Sequence, residues 1–332
     1  MKITLIGLGA EEGDLSVKAD EALRGATKIL ARTAHMPAFA CVEKYGAHPL
    51  DCIFESSRNF DTLNKKLAAA VLAAAKESDV VYCVDGAVCE DNACKMILAK
   101  HRDTVVFEGV SKAARAASLA HLKGGQYVSV SAYDIKNLKS APAAVVYDVD
   151  GDFAASEVKQ RLSELFGEEL DCSFIRGASV KKIKIYEIDR QKEYDCTCAV
   201  AVEEPEFLHK ERYDYADLLQ LVRMLRAPGG CPWDRVQTND TIKQNMIEEA
   251  YELVDAINRK DDDGIEEECG DVLLQAAFHT VLKEEQGAFT NGDVLSRVVK
   301  KLIFRHSHIF GKDKASDEDS ALNVWEKNKM EE

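Results

Sequence analysis

At 332 residues the chain exceeds one ordinary domain, so two domains are expected. A formal net charge of −15 excludes a general nucleic-acid surface, which needs basic charge, and no stretch is long and apolar enough to span a bilayer. The ten cysteines hold no pair spaced by two residues and sit in apolar stretches, as Cys83, Cys172 and Cys269 do. They read as reduced, structural thiols, and no export leader precedes the strand-like residues 2–8, so the expected location is cytoplasmic.

The first two-thirds alternate short strands with helices. Ile3-Thr4-Leu5-Ile6 is a β-branched apolar run ending in Gly7-Leu8-Gly9, and a helix is predicted over 17–31. A buried strand over 79–84 closes on Asp85-Gly86. Residues 104–107 form the next strand, leading through Gly109-Val110-Ser111 into an alanine-rich helix over 112–122. Strands follow at 128–130, 144–147, 184–189 and 197–202, with helices at 61–76 and 153–166. Such alternation predicts an α/β domain with a largely parallel sheet. Glycines at strand ends are where such sheets take ligands.

Residues 1–203 resemble the tetrapyrrole methylase superfamily. The resemblance rests on Gly7-Leu8-Gly9 with residues 13–19, on Asp85-Gly86 and on Gly109-Val110-Ser111. It implies two α/β subdomains with S-adenosylmethionine between them, bound through Gly7, Gly9, Asp85 and Gly86. Two turns depart from the family pattern. Ala10-Glu11-Glu12 stands where the family often has Pro-Gly-Asp, and Ala87 replaces a proline. Two acids beside a cofactor carboxylate are unfavourable, so weak or absent cofactor binding is expected.

The acidic, proline-containing residues 204–212 read as a linker, and a second domain spans 213–332. Helices are predicted at 213–226, stopped by Pro228-Gly229-Gly230, and then at 240–259, 262–286 and 291–304, with a short one at 321–329. The strongest chemical signal lies on the second and third. Glu249 and Glu252 are three residues apart, as are Glu268 and Asp271, so each pair shares a helix face. Acids on a helix are usually a solvated face. Here Met246, Ile247, Ala250, Leu253, Val254 and Ile257 on one helix, and Val272, Leu273, Ala276 and Ala277 on the other, put the acids at the edge of apolar stripes. Four converging carboxylates are tolerable around hard divalent cations, and magnesium or manganese prefers such oxygen ligands.

Upstream stands Cys231-Pro232-Trp233-Asp234; downstream, Arg305-His306-Ser307-His308, with Trp325-Glu326 near the end. Together with the acid pairs these residues resemble the MazG family of nucleoside triphosphate pyrophosphohydrolases over about 212–330. Ser307 departs from the proline usual there. The resemblance implies an all-α, dimeric domain cleaving nucleoside triphosphates to the monophosphate and pyrophosphate. It implies Mg2+ or Mn2+ on Glu249, Glu252, Glu268 and Asp271, with Glu248 and Glu249 in the catalytic role, Glu248 as outer ligand or water activator. Lys243, Arg305 and His308 are phosphate-contact candidates, and Trp233 a surface for the base.

The favoured function is metal-dependent nucleotide hydrolysis by a homodimeric cytoplasmic enzyme with no polymer or membrane partner. Two alternatives stay open: a methyltransferase acting on a tetrapyrrole-like small molecule, and a ligand-sensing N-terminal domain that regulates the hydrolase.

Overall fold

Val80–Val84 is buried at all five positions, as in a strand whose sheet is covered on both faces. The computed structural model describes residues 1–57, 60–123 and 125–332, and the chain divides into two units, Met1–Arg212 and Tyr213–Glu332. In the first, β1 (Ile3–Gly7), β2 (Ile29–Ala31), β3 (His48–Pro49), β4 (Val80–Val84) and β5 (Thr104–Phe107) form a parallel sheet in the order β3-β2-β4-β1-β5. Alternate side chains serve opposite faces. Ile6, Leu8, Val81 and Cys83 pack with α1 (Val17–Arg24) and α2 (Ala40–Glu43). Ile3, Leu5, Tyr82 and Val84 pack with α3 (Asp51–Glu55), α4 (Phe60–Ala74) and α5 (Asn92–Lys100).

A second sheet is built from β6 (Val128–Ser131), β7 (Ala143–Tyr147), β8 (Asp171–Arg176), β9 (Ser179–Lys184) and β10 (Cys198–Glu203), in the order β6-β7-β10-β8-β9. It is mixed: only β6 and β7 run parallel. Helix α6 (Lys112–Leu119) lays Ala113, Ala116 and Ala117 against Val145, Tyr147 and Ile175, and small side chains allow that close approach. The other face packs on α7 (Asp152–Phe166) through Val158, Leu162 and Phe166. The prediction of a largely parallel sheet therefore holds for the first sheet alone.

Two predicted elements differ. The helix expected over 17–31 stops at Arg24, where Gly25 caps it, and Ile29–Ala31 becomes a strand between β3 and β4. The strand expected over 184–189 lies earlier, as β9; Ile185–Arg190 is a 3-10 helix whose Glu187 carboxylate accepts the Lys184 N–H at 2.8 Å. Residues 204–212 pack with the first unit: Lys210 pairs with Glu204 at 3.0 Å, and Glu211 accepts the Glu169 N–H. All ten cysteines are free, but Cys269, expected in apolar surroundings, is exposed on its helix.

The second unit is helical: α8 (Tyr215–Arg226), α9 (Pro232–Val236), α10 (Asn239–Arg259), α11 (Asp262–Glu285), α12 (Asn291–Arg305), α13 (Ser307–Phe310) and α14 (Glu318–Glu331). Thr238 caps α10, and Asp261 caps α11 by accepting the Gly264 N–H. Lys260 between them takes φ 56°, the left-handed residue that ends α10 and reverses the chain. Leu219, Val222, Ile242, Phe278, Val281 and Leu282 form a core at the end of the hairpin away from that turn. Nearer the turn the apolar stripe is open: Ile247, Val254, Ile257 and Leu273 are about half exposed. Helix α12 carries Val299, Leu302, Ile303 and Phe304, also about half exposed.

Candidate metal centre

The turn at Lys260 and Asp261 lays α10 and α11 side by side in opposite directions, so residues before and after it meet. One carboxylate oxygen from each of Glu249, Glu252 and Glu268 lies within 4.8 Å of the others. Asp271, half-buried one turn from Glu268, adds its charge to the same cluster. Burial first, then repulsion from Asp271 and Glu252, pushes the Glu249 carboxyl above the ordinary glutamate range; the Gln275 side chain opposes that shift. Burial, then Glu252 and Asp271, pushes Glu268 up likewise.

Among the described residues, none of the four forms an ion pair with a lysine, arginine or histidine. One oxygen of Glu268, Oε2, is buried without a hydrogen-bond partner. An orphaned carboxylate oxygen facing other carboxylates costs stability unless a cation completes it. The donors are all hard oxygens and suit magnesium or manganese. Gln275, a buried amide, donates to Glu249 Oε1 at 3.3 Å and fixes its direction. The sequence did not single out Gln275; its place one turn after Asp271, between Leu274 and Ala276, was the available signal.

The remaining candidates are dispersed. Glu248 is exposed beside the cluster, its charge still felt by Glu249. Lys243 is exposed and pairs with Asp240 at 3.1 Å. Trp233 is exposed, and its carbonyl accepts from Gln237. Arg305 pairs with Glu332 at 2.7 Å and lies over the Trp325 ring at 5.1 Å. His308 Nδ1 is buried without a partner. Asn328, which the sequence did not single out, is buried and donates to the Phe304 carbonyl and to Ser307 Oγ, pinning α14 to the corner between α12 and α13. Arg226 was also missed; it pairs with Glu285 at 2.7 Å and covers the Phe278 ring, joining α8 to α11.

In the first unit the glycines meet one another. A Cβ on Gly7 would stand 2.5 Å from the Gly109 nitrogen and 2.6 Å from the Gly86 carbonyl oxygen. Gly9 and Gly86 exchange backbone hydrogen bonds, and Gly86 takes φ 68°. Close packing of three turns thus accounts for the glycines without a ligand. Asp85 faces inward and pairs with Lys112 at 3.0 Å.

Residues 237–310 match the family described as the MazG nucleotide pyrophosphohydrolase domain. Over 29% of this chain the sequence is 50% identical to the nucleoside triphosphate pyrophosphohydrolase/pyrophosphatase MazG of Thermotoga maritima, and the match spans 38% of that protein. The first unit is similar to the crystal structure of uroporphyrin-III-C-methyltransferase from Thermus thermophilus, with 16% identity and a TM-score of 0.48 over 61% of this chain and 94% of that one. Across 98% of this chain, the sequence is 31% identical to the uncharacterized protein YabN of Bacillus subtilis, and 70% of that protein is covered. The chain belongs to the family of YabN, with a MazG domain in its helical unit.

Proposed function

We propose that the helical unit hydrolyses nucleoside triphosphates to the monophosphate and pyrophosphate, using magnesium or manganese held by Glu249, Glu252, Glu268 and Asp271. One observation carries the reading: three carboxylates converge within 4.8 Å and leave a buried Glu268 oxygen without a partner. The MazG match over 237–310 supports the same reaction class, as does the name of the Thermotoga maritima relative, although this chain spans less than half of that protein.

A bound divalent cation supplies positive charge for the phosphates and acidifies a bound water. The chain's own residues do the rest. Glu249, steadied by Gln275, presents a fixed oxygen. Glu248 is exposed on the flank and is the residue to take the proton of the attacking water. Lys243, which would leave Asp240, Arg305, which would leave Glu332, and His308 are the basic groups for phosphate charge, and the exposed Trp233 ring offers a face to the base. A cytoplasmic homodimer with no polymer partner belongs to the same proposal. No helix among the described residues is long and apolar enough to cross a membrane.

Hydrolysis in oxygen-18 water tests the bond broken. Attack at the α phosphorus puts the label in the monophosphate and leaves the pyrophosphate unlabelled. A diphosphate product with labelled orthophosphate overturns the assignment.

A further inference from the structure

The cofactor expected for the first unit requires an open cleft beside the turns that follow β1, β4 and β5. Lys112, the first residue of α6, lies in that cleft. Its aliphatic chain rests on the turn after β4: a Cβ on Gly86 would stand 2.8 Å from Lys112 Cγ and 3.1 Å from Cε. Its ammonium sits between Asp85 of the first sheet, at 3.0 Å, and Asp148 at the end of β7 in the second, at 2.6 Å. The side chain therefore crosses from one sheet to the other. It leaves two cavities, of about 150 Å³ and about 90 Å³, and Asp85, Lys112 and Cys196 line both. Small-molecule sites typically enclose about 300 to 1,000 Å³. Neither cavity reaches that size, and the cavity of about 570 Å³ that adjoins the smaller one across Phe54, Phe60, Asn64, Asn92 and Tyr133 has none of the turns after β1, β4 and β5 in its lining.

Charge acts in the same direction. Burial works against the Lys112 cation, but Asp85 and Asp148 outweigh it and hold its pKa up, so the amine stays protonated. Asp148 also accepts from Ser131 Oγ at 2.9 Å and keeps the left-handed φ of 61° that few non-glycine residues adopt. Backbone strain of that kind persists only where surrounding contacts enforce it. A cationic sulfonium ligand would meet a fixed ammonium whose two nearby carboxylates are already paired. A second bridge, Arg115 to Glu11 at 2.6 Å, crosses the wall of the larger cavity.

We infer that Lys112, clasped by Asp85 and Asp148, divides the cleft of the first unit and closes it to S-adenosylmethionine. The residues do not fit the cofactor, and the triad serves as a clasp between the two sheets.

Calorimetric titration of the full chain with S-adenosylmethionine and with S-adenosylhomocysteine tests this. The second ligand lacks the sulfonium charge and so separates shape from charge. Neither should bind the native chain with a Kd below about 1 mM, equivalent to about −4 kcal/mol. Lys112→Ser combined with Asp148→Asn joins the cavities and leaves fewer unpaired carboxylates; it should bind S-adenosylhomocysteine at least about tenfold more tightly than the native chain. Lys112→Met keeps the length without the charge and should remain closed. Micromolar binding by the native chain overturns the inference. So does a double variant that circular dichroism finds folded but that binds no better than the native chain. Equal binding by Lys112→Met and the double variant would overturn division of the cleft by the side chain's bulk.

Discussion

Gln275 on α11 donates its side-chain amide to Oε1 of Glu249 on α10, across the helix hairpin, at 3.3 Å. It follows Asp271 by one turn and is 8% exposed, so its amide has few partners besides that carboxylate. Replacing it by leucine keeps the volume and removes the donor. The Gln275→Leu chain should stay folded and lose about 10- to 100-fold in magnesium affinity, the usual effect of removing a group that orients a ligand. Metal-dependence curves for hydrolysis, with manganese titration calorimetry, read this directly. An unchanged half-saturating concentration would remove Gln275 from the site.

Glu252 is exposed and takes no part in the core. Glu252→Gln keeps the shape and removes one of the charges that raise Glu249 and Glu268. The metal-free chain should therefore melt no lower than the parent, while hydrolysis falls by about a hundredfold or more. Normal turnover by this variant, or full activity of the parent in excess chelator, defeats the metal assignment.

The open stripe on α12 predicts assembly. Val299 and Ile303 are one turn apart and 50% and 47% exposed, and apolar faces of that width are usually covered. Light scattering should find a homodimer at micromolar concentration. Val299→Glu with Ile303→Glu should shift the full chain toward monomer. A monomeric parent, or a dimer indifferent to both charges, counts against this surface.

His279 gives a pH dependence. Burial holds its imidazole below the ordinary 6.5, and Nδ1 lies 2.6 Å from Asn239 Oδ1 at the start of α10. Between the folded value and 6.5 the unfolded chain binds more protons than the folded one. This contribution to stability is therefore complete above 6.5 and is lost as pH falls through the folded value. Thermal unfolding should show the loss in the parent and a shallower slope in His279→Gln. Identical slopes would exclude His279 as the cause.

Long helical periods were legible because caps and apolar spacing agreed. The helix expected at 240–259 is Asn239–Arg259, and the one expected at 262–286 is Asp262–Glu285. Short elements were not. Ile29–Ala31 is three residues long, and reading its apolar side chains as more helix ignored the stop at Gly25. Strand β8 hid because Ser173, 1% exposed, breaks its apolar run; Lys182 Nζ donates to its hydroxyl at 2.8 Å. Lys112 looked like an ordinary helix-opening residue, since a lone lysine carries no local sign that tertiary packing will bury it. Periodicity marked the apolar face of α10, but only the fold showed Val254 and Ile257 left open.

The left-handed Lys260 and the capping Asp261 are the whole connection between α10 and α11. That brevity makes the distance along the chain from Glu252 to Glu268 part of the chemistry. One residue inserted within either helical arm would rotate everything beyond it by about 100° and advance it by about 1.5 Å. Glu268 would then point to another side of its helix with every atom of its carboxylate intact. Substitutions at exposed positions of the arms, such as Asp255 and Glu266, are cheap by comparison. The hairpin works as a caliper, and the quantity it conserves is a count of residues.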